Sequence, residues 1–417
     1  MCDTNVNANS STSTNHRELR AVVIGPGRIG CGFAGDALAA AGYRLTFVGR
    51  GATIGALAQA GRYTVRLVEG PRAAEREITG VRALEASDPQ AVEAIATADL
   101  VAVSVGTAGL AGIAPLVAEG LGRRTTSVNV LAFENEPEAA AILRREVLAR
   151  CPAAEMHGFS GALVSRIVTR RLGDPSRGEP LVFVGDPAST FIVHAPSLRA
   201  PLAIIPGLQL VEDYGAHVQK KLFMFSAGHA TAAYLGALKG YRYVHAAIRD
   251  REIRARVLAA MDEGRRGLAA KYGPALAGSR KDLESIVRRF ENAALNDPIE
   301  RVARDPRRKL GCGDRLLGAA KLAEEAGVRP LRLALAAAAA LCFDCAGDPS
   351  ACALQQDLAR DGAPAVLARV AGLPADSALG QLVKDNWRRL AGDRAPQAQL
   401  LSFGKRMWTF RADAEGP

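Results

Sequence analysis

The hydrophobic pattern changes character part-way along the chain. Short apolar runs rich in β-branched residues recur in the first part, at 21–24, 43–48, 99–106 and 126–132. Runs of this length and composition are typical of buried parallel strands. Residues 156–210 stay strand-rich but irregular, and from about residue 215 the alanine, leucine and arginine periodicity is that of helices. The pattern predicts an α/β fold, with an N-terminal Rossmann-type doubly wound sheet followed by a mainly α-helical C-terminal domain.

Three segments follow from this pattern and from the length of 417 residues, which favours more than one domain. Residues 1–18 are polar and are predicted to form a disordered tail. Residues 19–208 are predicted to form the Rossmann dinucleotide-binding domain, and 209–417 a helical substrate and catalytic domain. The boundary is placed in the segment PLAIIPGLQLVED.

A glycine loop follows the first apolar run directly. Gly25, Gly27 and Gly30 have the spacing G-x-G-x-x-G, and a helical segment at 33–41 and a second strand come after them. In this context the glycines allow a tight turn, and the helix N-terminus offers N–H groups to a pyrophosphate. The predicted cofactor-binding residues are therefore the loop and the ends of the next strands: Gly25, Gly27, Arg28, Ile29, Gly30, Arg50, Val105 and Gly106.

The end of the second strand carries a signal about the choice of cofactor. An acid usually stands there and binds the 2′-hydroxyl of the ribose. This chain has Gly49 followed by Arg50, which removes repulsion against a 2′-phosphate and supplies a partner for it. We predict that NADP or NAD binds and that NADP is preferred; the alternative is that Arg50 only faces solvent.

Composition and charge narrow the functional classes. Hydrophobic residues make up 48% and charged residues 23%, which are ordinary values for globular proteins. The longest apolar run, 333–343, is too short for a bilayer span, and no apolar signal-peptide segment is visible. We therefore expect no membrane association and a cytoplasmic location. The net charge of +10 is spread along the chain, so a small anionic substrate is expected rather than nucleic acid.

The seven cysteines are scattered, as free thiols of a reducing compartment would be. Cys342 and Cys345 form a C-x-x-C, but no second pair follows at zinc spacing, so we expect no metal site.

Three further blocks, together with GPGRIGCGF, carry a family resemblance. They are NVLAFEN at 129–135, KLFMFSAGHATAAYLG at 221–236 and RFENAALNDPIERVARDPRRKLGCGDRL at 289–316. In this order the blocks resemble the polyol-specific long-chain dehydrogenase family, most closely its mannitol-1-phosphate 5-dehydrogenase branch. The resemblance implies a zinc-independent, nicotinamide-dependent enzyme that interconverts a sugar alcohol, such as a hexitol phosphate, and the corresponding keto or aldo sugar. It also favours a monomer.

The resemblance also implies roles for particular residues. The family pattern K-x4-N-x2-H falls on Lys221, Ser226 and His229, with lysine as general base and serine where the family has asparagine. Asn135 takes the place of the N-terminal active-site asparagine. The remaining residues that the resemblance assigns are the substrate-binding residues Arg166, Arg301 and Lys309.

The chemistry of alcohol oxidation sets a requirement for the lysine. A base removes the hydroxyl proton best when its pKa lies near neutrality, and a free lysine is far more basic. Burial and nearby cations would have to lower the pKa of Lys221. Whether Lys221, Ser226 and His229 share one helix face is left open by the spacing. Two other functions stay possible: an accessory biosynthetic dehydrogenase on a modified sugar or nucleotide sugar, and a nucleotide-sensing protein without turnover.

Overall fold

The computed structural model of the chain describes residues 17–134, 136–174, 177–374 and 376–392. Within it the chain separates into two compact units. The first contains the chain up to Leu67 and the segment Ala74–Glu212; the second contains Val68–Ala73 and the chain from Asp213 onward. The predicted tail over 1–18 lies outside the described residues as far as residue 16.

The strands of the described chain all lie between residues 20 and 211. They are β1 (Arg20–Ile24), β2 (Arg44–Gly49), β3 (Arg62–Glu69), β4 (Arg72–Thr79), β5 (Arg82–Glu85), β6 (Leu100–Val103), β7 (Asn129–Ala132), β8 (Gly158–Val164), β9 (Val168–Leu172), β10 (Val182–Gly185), β11 (Phe191–His194) and β12 (Leu208–Val211).

The larger sheet confirms the predicted Rossmann-type topology. Its strand order is β12-β11-β8-β7-β6-β1-β2-β5. Adjacent strands are parallel except for the pair β8 and β11, which is antiparallel. The chain runs from β1 to β2 on one side and later returns to β6 on the other. The crevice at the carboxyl ends of β1 and β6 is therefore the topological switch point, where such sheets bind ligands.

A second, smaller sheet was not predicted from the sequence. It has the order β4-β3-β10-β9, with β3 parallel and β9 antiparallel to β10. Strand β4 is almost entirely exposed, so it lacks the apolar run that marked the strands of the larger sheet. Edge strands of this kind carry little hydrophobic signal.

Burial on both faces explains the continuous apolar runs of the larger sheet. On β1, Ala21 and Val23 pack into one core cluster, while Val22 and Ile24 pack into the other. A strand covered on both sides has no polar face, so its sequence reads as an unbroken hydrophobic run.

Helices cover this sheet and form almost all of the second unit. In the first unit they are α1 (Asp36–Ala40), α2 (Ala52–Ala60), α3 (Pro89–Thr97), α4 (Leu110–Gly122) and α5 (Ala139–Leu148). In the second unit they are α6 (Tyr214–Lys220), α7 (Ala227–Leu238), α8 (Val244–Arg249), α9 (Arg251–Tyr272), α10 (Pro274–Ala277), α11 (Arg280–Phe290), α12 (Ile299–Ala303), α13 (Pro306–Lys309), α14 (Leu317–Glu325), α15 (Leu331–Leu341), α16 (Pro349–Ala371) and α17 (Ala378–Gly392). None of the helices described here combines the length and apolar character that a bilayer crossing requires.

Two helices begin with a π-helical segment. Gly30–Gly35 precedes α1, so the first helix starts earlier than the predicted residue 33. Lys221–Ser226 joins α6 to α7 in the second unit. Segments of this type occur frequently at functional sites.

Candidate active site

A cavity of about 540 Å³ lies in the first unit at the carboxyl ends of β1, β2 and β6. Four of the predicted cofactor-binding residues line it: Gly25, Gly27, Arg50 and Val105. Its place at the topological switch point and its size suit a nucleotide.

The glycine loop is shaped by close backbone contacts. A β-carbon on Gly25, whose φ is 97°, would lie 2.1 Å from the carbonyl oxygen of Ser104. One on Gly30 would lie 1.9 Å from the carbonyl oxygen of Gly25. A β-carbon on Gly27, by contrast, would meet no other described side chain or loop within 4 Å, so the cavity is open there. Two glycines therefore close the turn, and the third leaves room for a phosphate to approach the backbone.

The other predicted nucleotide-binding residues are not part of the cavity lining. Arg28 donates from Nη1 to the carbonyl oxygen of Thr169 at 3.3 Å, and Ile29 packs against the core cluster. Gly106, with a φ of 78°, donates its N–H to Oε1 of Glu134 at 2.7 Å. These residues support the loops rather than line the cavity.

Glu134 is a residue that the sequence analysis missed. Its carboxylate holds the backbone that follows β6, next to Val105 of the cavity wall. Burial raises its pKa, while the N–H groups of Gly106 and Val105 act against that rise. The feature of the sequence that could have identified Glu134 is its position just after β7, at the end of a strand of the larger sheet. The neighbouring Asn135, predicted as an active-site residue, lies outside the described residues.

Arg166 has a structural role that the sequence analysis did not foresee. Its side chain is 2% exposed, and Nη1 lies 2.6 Å from Oδ2 of the equally buried Asp36. The same guanidinium donates to the carbonyl oxygens of Gly32 and Ala188 and lies over the ring of Phe33. Because these contacts occupy the guanidinium inside the first unit, we drop Arg166 from the candidate substrate contacts.

In the second unit, the predicted catalytic residues lie on one continuous helical segment, with Lys221 and Ser226 at the ends of its π-helical part and His229 in α7. A π-helix closes hydrogen bonds over five residues, so Lys221 and Ser226 lie about one turn apart. Ser226 and His229 are three residues apart where α7 begins, and such residues share a helix face. From these spacings we infer that Lys221, Ser226 and His229 lie toward one side of the helical segment.

The surroundings of Lys221 lower its pKa to about 8. The largest cause is the loss of hydration of the amine inside the protein. Part of the residue is still accessible to solvent. The guanidinium groups of Arg315 and Arg289 add to the effect, because they repel a third positive charge. Neither arginine was singled out from the sequence, since each is distant from Lys221 along the chain.

His229 is held from two sides. Its Nε2 lies 3.1 Å from Oδ2 of Asp297, and its ring stacks on Phe290 with 4.7 Å between the ring centroids. Burial lowers the pKa of His229, while Asp297 acts against that shift. Arg301 and His229 hold the pKa of the Asp297 carboxyl below its usual range, although burial opposes them. The carboxylate therefore accepts the Nε2 proton, and Nδ1 of a neutral ring keeps its lone pair.

The two remaining predicted substrate contacts differ in their surroundings. Arg301 binds Asp297 with two hydrogen bonds, from Nε at 2.6 Å and Nη2 at 2.7 Å. Lys309 is 4% exposed and makes no side-chain hydrogen bond to a described residue. Burial, followed by the charges of Arg315 and Arg308, lowers the pKa of Lys309 to about 7. A buried amine of this kind is suited to meet an anion.

Asp297 and Asp314 form ion pairs with arginines. Asp297 pairs with Arg301, and Asp314 pairs with Arg308 and Arg315. Asp297 also orients His229, which the sequence did not indicate. Within the described ranges, no group of three His, Cys, Asp or Glu side chains is arranged to hold a metal ion.

Family models match both units. Residues 19–199 match the mannitol dehydrogenase Rossmann domain, and residues 213–391 match the mannitol dehydrogenase C-terminal domain. The chain belongs to the mannitol dehydrogenase family. As a member of this family it is a dehydrogenase that acts on a CH–OH group.

Individual relatives agree with this assignment. The chain is 38% identical to the mannitol-1-phosphate 5-dehydrogenase of Bacillus licheniformis over 87% of its own length and 98% of the relative. It is 36% identical to the mannitol-1-phosphate 5-dehydrogenase of Geobacillus thermodenitrificans, over 89% of its own length and 99% of the relative. Among solved structures, mannitol 2-dehydrogenase of Pseudomonas fluorescens, in complex with NAD and D-mannitol, is similar in fold. Its TM-score is 0.73 at 18% identity, over 94% of this chain and 95% of that one.

Proposed function

We propose that the chain interconverts a hexitol phosphate, such as mannitol 1-phosphate, and the corresponding keto or aldo sugar phosphate, with NADP or NAD as cofactor. The relatives at 36–38% identity that bear the name mannitol-1-phosphate 5-dehydrogenase support this substrate class. The observation that carries the proposal is the amine of Lys221, whose pKa is lowered to about 8 beside Arg289 and Arg315.

The first unit suits a nicotinamide dinucleotide. Gly25 and Gly27 would hold its pyrophosphate at the open part of the glycine loop, and Val105 would form part of the wall. When bound, the cofactor supplies the acceptor or donor of a hydride. All other steps fall to side chains of this chain, and none of them requires a metal ion.

Lys221 takes up the proton of the substrate hydroxyl during oxidation. A base works best when its pKa lies near the working pH, and about 8 meets this condition where an ordinary lysine does not. In the opposite direction the same group, as ammonium, returns the proton to the carbonyl oxygen. The cations that lower its pKa also favour the negative charge that develops on the substrate oxygen.

Neighbouring groups orient the substrate. The hydroxyl of Ser226 makes no hydrogen bond to a described residue, so it can donate to the developing oxyanion. Nδ1 of His229 can accept from a substrate hydroxyl, because Nε2 is committed to Asp297.

Two basic side chains would bind the anionic end of the substrate, and the nearby anion would favour the charged form of the Lys309 amine. Lys309 offers a buried amine. Arg301 uses Nε and Nη2 for Asp297, and Nη1 remains for the substrate. We infer that these contacts favour a phosphorylated over an unphosphorylated polyol.

A substrate panel tests the proposal. Hexitol phosphates, unphosphorylated polyols, ketose and aldose phosphates and nucleotide sugars are offered with NAD and NADP, and nicotinamide absorbance is followed. We expect the highest kcat/KM for a hexitol phosphate and its keto or aldo product. Lys221→Ala should abolish hydride transfer while cofactor binding persists. The proposal would be contradicted if Lys221→Ala reduced the cofactor as fast as the unchanged protein does. Turnover of nucleotide sugars alone would contradict it as well.

A further inference from the structure

The end of β2 and the start of α2 carry a set of polar side chains that extends beyond Arg50. Thr53 lines the same cavity as Arg50. Its Oγ1 accepts a hydrogen bond of 2.6 Å from Nη1 of Arg171, a residue of β9. Two guanidinium groups and one hydroxyl group are thus associated with the region where a Rossmann unit receives the adenosine ribose.

The charges of this region are not neutralised by the protein. Among the described residues, neither Arg50 nor Arg171 forms an ion pair with a carboxylate, and no Asp or Glu lines the cavity. Glu85 is the register partner of Gly49 on β5, but it is not part of the lining. Elsewhere in the first unit, exposed arginines such as Arg44 and Arg66 do have acidic partners. An unbalanced pair of guanidinium groups favours an anionic ligand.

In the hydrogen bond between Arg171 and Thr53, the guanidinium group is the donor and the hydroxyl oxygen is the acceptor. Because Arg171 donates to Oγ1, a lone pair of the hydroxyl group is occupied and its proton can be donated elsewhere. The remaining N–H groups of Arg171 can donate as well. A phosphate group, which only accepts, matches this set of donors.

Pro26 explains why an acid is absent from the end of β2. A β-carbon on Gly49 would lie 2.5 Å from Cδ and 3.0 Å from Cγ of Pro26, and 3.1 Å from Cγ1 of Ile54. The proline ring therefore occupies the space that the side chain of an acid at position 49 would need. Glycine at 49 and proline at 26 form one steric unit, and this unit excludes the carboxylate that would bind a ribose 2′-hydroxyl and repel a 2′-phosphate.

We propose that Arg50, Thr53 and Arg171 form a binding subsite for the 2′-phosphate of NADP, and that Pro26 keeps this subsite free of an acid. The inference rests on the proposed nicotinamide cofactor, but not on the identity of the polyol.

Binding of two adenosine nucleotides tests the subsite without turnover. Adenosine 2′,5′-bisphosphate and 5′-AMP differ only in the 2′-phosphate, and calorimetry gives both dissociation constants. We expect the bisphosphate to bind at least about tenfold more tightly, since charge-assisted hydrogen bonds are strong. Arg171→Ala and Arg50→Ala should each remove a large part of this difference, and Thr53→Val a smaller part, with 5′-AMP affinity nearly unchanged. The matched control is Arg123→Ala, which removes an exposed arginine of the same unit that pairs with Glu119.

A second set of variants tests the role of Pro26. Gly49→Asp alone should weaken both NAD and NADP, because the new side chain collides with the ring. Gly49→Asp combined with Pro26→Ala should bind NAD more tightly than NADP. If Gly49→Asp alone already binds NAD as well as the double variant does, the steric part of the proposal is wrong.

The outcomes separate this subsite from the polyol dehydrogenase function. Equal affinities for the two nucleotides, or equal losses for both in Arg171→Ala, would overturn the subsite whatever the enzyme oxidises. Discrimination that depends on Arg171 supports the subsite even if the panel of sugar phosphates shows no turnover, a result that would contradict only the proposed substrate.

Discussion

Oδ2 of Asp297 lies 3.1 Å from Nε2 of His229, and this contact leaves Nδ1 as the ring nitrogen that can accept a hydrogen bond. The carboxylate is ionised because its pKa is held below the usual range, so it can only accept. The ring is flat against Phe290, which restricts its rotation. His229 is therefore presented in one tautomer, with Nδ1 as an acceptor.

Asp297→Asn tests this orientation. The amide can donate as well as accept, so it no longer selects the tautomer, and it loses the charge that binds Arg301. We expect kcat/KM to fall about tenfold to a hundredfold, as for other residues that orient an active-site histidine. Steady-state kinetics give the loss, and titration of the His229 ring by NMR should show a lower pKa, because a group that raises it is removed. An unchanged kcat/KM would show that His229 does not contact the substrate.

The pH dependence of catalysis should report on Lys221, the base that we propose. Oxidation needs the neutral amine, so kcat/KM for the alcohol should rise tenfold per pH unit below about 8 and level off above it. Reduction needs the ammonium form and should decline above the same pH. Rate profiles measured in both directions check this prediction. An oxidation profile that still rises near pH 10 would indicate that Lys221 has the pKa of an ordinary lysine or is not the base.

Arg289→Gln should move that profile. Its guanidinium lies 4.8 Å from the ring centroid of Phe225 and lowers the pKa of Lys221. Removing this cation should raise the pKa of Lys221. The oxidation profile should therefore shift to higher pH, by up to about one unit. Arg288→Gln is the matched control, because Arg288 is the exposed neighbour on the same helix. Equal shifts in both variants would mean a general charge effect.

The Arg166–Asp36 pair should stabilise the first unit. Both side chains are 2% exposed, so Arg166→Ala would leave a buried carboxylate without its closest partner. We expect a loss of about 3–5 kcal/mol in the free energy of unfolding. Arg44→Ala, which removes an exposed ion pair with Glu18, should cost at most about 1 kcal/mol. Urea unfolding measures both, and a raised KM without loss of stability in Arg166→Ala would return Arg166 to the substrate contacts.

Much of the fold was predictable because its signals are local. The strand, the glycine loop and the helix after it are contiguous, and burial on both faces made β1, β2, β6 and β7 readable as apolar runs. The exposed strand β4 and the smaller sheet were not predicted, because an edge strand without an apolar face has no such run. The π-helical start of the first helix was likewise hidden, since its residues also fit an ordinary helix.

The order of residues along the chain specifies which chemical groups this protein has: a glycine loop, Gly49 with Arg50, and Lys221 with His229. The surroundings of these groups depend on the folded chain. Arg289 and Arg315 lower the pKa of Lys221, Asp297 orients His229, and Pro26 fills the space beside Gly49. The physical reason is that electrostatic and steric effects depend on distance in space, and these partners are separated from their targets along the chain.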